Sequence, residues 1–144
     1  MNTAAQAVTI VMIEDDEGHA RLIQKNLKRA GVFNEVKHFV SGTEGVEYLL
    51  GPGREKHRPL LVLLDLNLPD MSGIDILTRI KDDEILRLAP VIVLTTTDDE
   101  REIRRCYELG CNVYITKPVN YETFAQAVRQ LGLFLAVIQV PPAP

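Results

Sequence analysis

At 144 residues the chain has the length of one domain, and a domain of that size buries about 70% of the surface its unfolded form exposes, without disulfide or metal staples. Its 46% hydrophobic and 25% charged residues are close to the soluble average, which excludes a disordered or membrane-embedded chain. A net charge of −4 argues against a nucleic-acid partner, whose binding surface would be strongly basic.

The first apolar run, 8–13, is too short for a membrane span, which takes roughly 18 residues or more. No basic residue precedes Arg21, so the pattern is not that of a signal peptide either, and a cytoplasmic protein without membrane association is expected. Short runs rich in Val, Ile and Leu recur at 60–64, 91–94 and 113–115, and read as strands buried on both faces. The segment 35–39 mixes charge with apolar residues, as a solvent-facing edge strand does.

Helical patterns lie between these strands. Ala20, Ile23, Leu27 and Ala30 repeat at helical spacing up to Gly31. Residues 43–50 end at Gly51-Pro52, a helix over 74–85 carries Ile74, Leu77 and Ile80, and residues 100–109 stop at Gly110. The last helix opens near Asn120, an N-cap residue type, with Glu122 in its first turn. The basic cluster Arg54, Lys56, His57 and Arg58, broken by Glu55 and closed by Pro59, reads as a solvated loop. Cys106 and Cys111 have no His or Cys partner at metal-ligand spacing and read as free thiols.

Strand–helix alternation repeated five times implies an α/β fold: a doubly wound parallel sheet with helices on both faces. Right-handed crossovers leave the flavodoxin-like strand order 2-1-3-4-5 as the obvious arrangement, with 35–39 at an edge. Residues 7–133 make this one domain, and 134–144 are an apolar extension.

Ligand sites in open α/β sheets lie at the carboxyl ends of the strands. Here those ends carry Glu14, Asp15 and Asp16 after the first strand, Asp65 after the third, Thr95 at the fourth and Lys117 after the fifth. Three carboxylates brought within a few ångströms call for a cation, and hard oxygen ligands suit Mg²⁺. With that charge and Lys117, the pocket could hold a phosphoryl group on a carboxylate, and Asp65 at the central strand tip is best placed as the nucleophile. Each group also has an ordinary reading. The acidic run could supply N-terminal helix charge, Asp65 could start a turn, Thr95 could belong to a cap, and Lys117-Pro118 could be a strand exit. Four such groups at four strand ends are harder to assign to chance.

The motifs Ile13-Glu14-Asp15-Asp16, Leu63-Leu64-Asp65-Leu66-Asn67-Leu68-Pro69-Asp70-Met71-Ser72-Gly73, Val93-Leu94-Thr95 and Tyr114-Ile115-Thr116-Lys117-Pro118 together resemble the CheY-like response-regulator receiver domain. The family's intervals recur as well, 30 residues from Asp65 to Thr95 and 22 more to Lys117. The resemblance implies a phosphoacceptor signalling protein rather than an enzyme, charged by a sensor histidine kinase, capable of Mg²⁺-dependent self-phosphorylation from small donors and of slow autodephosphorylation. Asp65 resembles the phosphoacceptor, Asp15 the direct Mg²⁺ ligand and Glu14 its acidic partner, while Asn67 would offer its main-chain carbonyl to the metal. Thr95 and Lys117 resemble the phosphoryl-sensing pair, Lys117-Pro118 the family's cis peptide, and Tyr114 the switch aromatic that turns inward with Thr95. The acidic triplet leaves a second register open, with Asp15 and Asp16 as the acid pair. The loop over 51–59 looks longer than the family's usual one.

Two rival readings are weaker. A haloacid-dehalogenase-like phosphatase also uses an Asp nucleophile after a strand, but needs a second Asp two positions on, where Asn67 stands here. A pseudo-receiver would have lost groups that are all present. From Gln130 to Pro144 there is no charge, and Leu133, Phe134, Leu135, Val137 and Ile138 lie in an apolar stretch before Pro141-Pro142. It could pack on its own domain, or form a homodimer interface. Tails of this kind resemble those of stand-alone regulators paired with phytochrome-type kinases. The downstream protein is not specified by these residues.

Overall fold

The computed structural model describes residues 8–56 and 59–130. Five parallel strands, β1 (Thr9–Ile13), β2 (Val36–Phe39), β3 (Leu60–Asp65), β4 (Val91–Thr95) and β5 (Val113–Thr116), form one sheet in the order 2-1-3-4-5. Helices α1 (Glu17–Arg29), α2 (Gly42–Leu50), α3 (Gly73–Asp82), α4 (Glu100–Leu109) and α5 (Tyr121–Gln130) connect or follow them. The predicted doubly wound order is thus observed.

Alternation along the strands divides the core in two. Ile10, Met12, Leu61, Leu63, Ile92 and Leu94 face α1 and α5, where Ile23, Leu27 and Phe124 meet them. Val11, Ile13, Val62, Leu64, Val91 and Val93 face the other way, onto Leu49 of α2, Ile76, Leu77 and Ile80 of α3 and Cys106 of α4. Central strands β1, β3 and β4 are buried at every position, whereas β2 is only half-buried, as its mixed composition predicts for an edge.

The helix starts follow the sequence signals. Asp16, Ser41, Ser72 and Asp99 cap α1 to α4 by accepting main-chain N–H groups, and Asn120 Oδ1 accepts from Thr123 N at 2.8 Å before α5. Gly110 ends α4 at φ 108°, a left-handed turn that a side chain would strain.

Two local expectations are corrected. The helix expected over 74–85 ends at Asp82, because the Asp83 carboxylate accepts from Ile85 N and Leu86 N and folds the chain into a turn. That turn leaves Ile85 exposed and buries Leu86 instead. The loop after α2 is also not wholly solvated. It contains a 3-10 turn, Arg54–Lys56, and Arg54 Nε bonds Asp83 Oδ1 at 3.0 Å. Leu133, Phe134, Leu135, Val137 and Ile138, expected at a dimer interface, lie outside the described residues.

Candidate functional site

Strand order and register bring the tips of β1, β3, β4 and β5 to one end of the sheet. Ile13 pairs with Leu64, Asp65 with Leu94 and Thr95 with Thr116, so the residues at and beyond these positions surround one pocket. The chain leaves β1 through Glu14, fully buried, and Asp15, exposed. Glu14, Asp15 and Asp65 each present a carboxylate oxygen within 4.8 Å of the others, a donor set that could hold a metal ion. Asp16 is spent differently. Its Oδ1 accepts from His19 N at 2.9 Å and caps α1, which holds its carboxyl below the usual range. Of the two registers for the acid pair, the geometry gathers Glu14 and Asp15.

Glu14 is anchored from several sides. Its main-chain carbonyl meets His38 Nε2 at 2.7 Å, Oε2 accepts from Asp16 N at 3.1 Å, and Oε1 meets Lys117 Nζ at 2.6 Å. Burial pushes its carboxyl above the ordinary value, with the Lys117 ammonium opposing that shift.

Asp65 closes β3 at 2% exposure, and Asn67 N donates to its Oδ1 at 2.9 Å. The following loop is braced at its far end. Asp70 accepts from Gly42 N, Thr43 N and Thr43 Oγ1 at the start of α2, at 2.9, 2.8 and 2.6 Å. The Thr43 hydroxyl first, then the Thr43 and Gly42 amides, hold the Asp70 carboxyl down to about 2. Gly73 completes the brace. A Cβ there would stand 2.5 Å from Leu66 Cα and 2.8 Å from the Asp65 carbonyl oxygen, so only glycine lets α3 begin this close to the tip of β3.

Thr95 ends β4 fully buried. Its hydroxyl accepts from Asn67 Nδ2 at 2.9 Å and Thr97 N at 3.3 Å, and the same Asn67 amide reaches Thr96 Oγ1 at 3.1 Å. Tyr114 on β5 is half-buried and donates its hydroxyl to Thr97 O at 2.9 Å, tying the loop after β4 to the last strand. Burial raises the Tyr114 phenol well above its usual range.

Lys117 follows β5 on a chain whose Lys117-Pro118 peptide is cis. Its side chain is 5% exposed, and Nζ contacts Glu14 Oε1, Asp65 Oδ2 at 3.2 Å and His19 Nδ1 at 3.1 Å. One ammonium against three carboxylates leaves the pocket net negative, which suits a further cation.

Sequence reasoning located the strand-end groups but missed three supporting ones: His19, His38 and the Asn67 side chain. His19 and His38 carry no spacing signal, since one lies in the first turn of α1 and the other on the edge strand. Asn67 reads in the sequence as a carbonyl donor to the metal and as the replacement of a second Asp, not as an amide that bonds Thr95.

Comparison with known proteins agrees with this geometry. Residues 10–129 match the response regulator receiver domain family. The chain is 34% identical over 137 residues to "Response regulator Rcp1" of Synechocystis sp., covering 93% of each chain. A Mn(2+)-bound form of Rcp1 superposes with a TM-score of 0.73 at 32% identity, covering 94% of this chain and 99% of that one. A response regulator receiver domain from Rhodospirillum rubrum is 64% identical with a TM-score of 0.77, covering 93% of this chain and 97% of that one. The phosphorylated cyanobacterial phytochrome response regulator RcpA is 37% identical with a TM-score of 0.74, covering 95% and 99%.

The chain therefore belongs to the response regulator receiver domain family. It is a signalling module of two-component systems, similar to regulators associated with phytochromes.

Proposed function

We propose that this protein accepts a phosphoryl group from a sensor histidine kinase on Asp65 and signals through protein–protein contact. The observation carrying this reading is Asp65 buried at the central strand tip, between the Glu14–Asp15 carboxylates and the Lys117 ammonium. In the transfer, an Asp65 carboxylate oxygen forms a bond to phosphorus while the phosphorus–nitrogen bond to the donor histidine breaks, and the imidazole leaves. Lys117, already at the Asp65 carboxylate, balances charge on the incoming phosphoryl oxygens. Glu14, Asp15, Asp65 and the Asn67 main-chain carbonyl would hold Mg²⁺, which supplies charge neutralisation when bound. Thr95 releases Asn67 and turns its hydroxyl to the phosphoryl group, and Tyr114 follows through its bond to the Thr97 carbonyl. The likeness to RcpA, a cyanobacterial phytochrome response regulator, supports a phytochrome-type kinase as donor.

The test is incubation with acetyl phosphate and Mg²⁺, read by intact mass. Wild-type protein should gain one phosphoryl group and Asp65→Asn none, with an unchanged amide NMR spectrum. Equal labelling of both would reject Asp65. The apolar stretch over 133–140 supports a homodimer. Light scattering on the full chain beside one ending at Gly132 should give a dimer and a monomer, and two monomers would reject that interface.

A further inference from the structure

Lys117 has three N–H donors, and in this pocket each has an acceptor: Glu14 Oε1, Asp65 Oδ2 and His19 Nδ1. The first two acceptors are carboxylates with other duties in the phosphoryl-accepting reading, on which this inference rests. Glu14 and Asp65 belong to the group that would hold the cation, and Asp65 is itself the acceptor. With a cation held by Glu14 and Asp65, those two acceptors would be shared with it, and Lys117 would exchange part of its hold on them for the phosphoryl oxygens. His19 is the acceptor that need not change partners, a member of neither set.

We propose that His19 is a positioning residue, whose Nδ1 holds the Lys117 ammonium beside Asp65 through metal binding and phosphoryl transfer. Four features of its surroundings fit that task. His19 is fixed in the first turn of α1, because its main-chain N–H is the group that Asp16 caps. An ammonium donates only, so a ring nitrogen 3.1 Å from Nζ must be the unprotonated acceptor, and the ring proton then sits on Nε2. Neither nearby acid competes for that nitrogen at bonding distance, as Glu14 Oε2 and Asp16 Oδ1 stand at 3.9 and 4.0 Å. The ring is 44% exposed while the ammonium is 5% exposed, so His19 covers the solvent side of an otherwise buried cation.

The substitution pair His19→Leu and His19→Asn separates hydrogen bonding from filling space. Leucine removes the acceptor, whereas asparagine carries its Oδ1 at the same branch point as the histidine Nδ1. Labelling by acetyl phosphate with Mg²⁺ takes kinase docking out of the comparison. Loss of one neutral acceptor should slow labelling by about threefold to tenfold in His19→Leu. His19→Asn should recover most of the wild-type rate. Equal rates in wild type and His19→Leu, or equal slowing in both variants, would overturn the inference.

A second readout does not depend on labelling. Nitrogen-15 NMR of the ring at pH 8 should show Nδ1 unprotonated and Nε2 protonated in wild type, with that balance relaxing in Lys117→Met. A proton on Nδ1 in wild type would overturn the inference. If wild-type chain takes no label at all, the Asp65 reading fails, and the ring spectrum still decides whether His19 anchors Lys117.

Discussion

After β3 the far end of the loop is held largely against main-chain groups. Gly73 lies against the backbone of Asp65 and Leu66, and Asp70 is bound to two amides of α2. After β4 the chain is held by side-chain hydroxyls and an amide: Thr95 and Thr96 to Asn67, Asp99 N to Thr97 Oγ1, and the Thr97 carbonyl to Tyr114. Residues 98 and 99 of that loop are exposed, and α4, which it leads into, buries Cys106 alone. One loop sets the position of the Asp65 carboxylate, and the other is fastened by groups that can exchange partners. On the proposed phosphoryl-accepting reading, the contrast separates the part that must stay still from the part that must move.

Gly73→Ala attacks the fixed side and should have the largest effect. The added methyl meets backbone rather than a yielding side chain, so a loss of about 3 kcal/mol in denaturant unfolding is expected. The same change should slow Asp65 labelling, since relief of the clash moves the strand tip. A Gly73→Ala protein as stable as wild type would show that the loop after β3 is as yielding as its counterpart.

Thr95→Ala attacks the movable side. Loss of a buried hydroxyl that accepts from both Asn67 Nδ2 and Thr97 N should cost about 1–2 kcal/mol. Labelling of Asp65 should persist, while the chemical-shift changes around Tyr114 on phosphorylation should disappear. Shift changes that survive in the mutant would mean the hydroxyl does not report the phosphoryl group.

Tyr114→Phe is a milder cut to the same loop. It removes one partly buried hydrogen bond and leaves the ring, so about 1 kcal/mol is expected, with faster amide exchange at Thr97 and Asp98 and none at Leu66.

The smallest effect comes from Asp70. Its folded-state value is depressed to about 2 from 3.8, so its stabilising contribution is complete above 3.8 and is lost as pH falls toward 2. Asp70→Asn should flatten the acid-unfolding curve between about pH 4 and 2. An unchanged slope would show that the brace adds nothing to stability.

The strand-end groups are far more legible in the sequence than the side-chain bonds that join the two loops. Buried strands write themselves as Val, Ile and Leu runs, and polar groups at their ends are conspicuous because the topology tells where they must meet. Glu14, Asp65, Thr95 and Lys117 could be picked out for that reason. The Asn67 amide and the Tyr114 hydroxyl gain their meaning only from partners 28 and 17 positions away, at distances no linear pattern encodes. The end of α3 was misjudged for a related reason. Apolar spacing continued through Ile85, but the competing Asp83 carboxylate won the local amides.

The 2.6 Å contact between Glu14 and Lys117 joins residues 103 positions apart. During synthesis, a chain that has emerged only as far as Thr95 already carries all three acids and none of the ammonium that balances them. The acids would repel one another until the fifth strand arrives, and closing so long a loop comes late in assembly. On the proposed phosphoryl-accepting reading, competence to take phosphate would thereby be tied to completion. A nascent or clipped molecule would then be silent toward a donor, and only chains that have finished folding would signal.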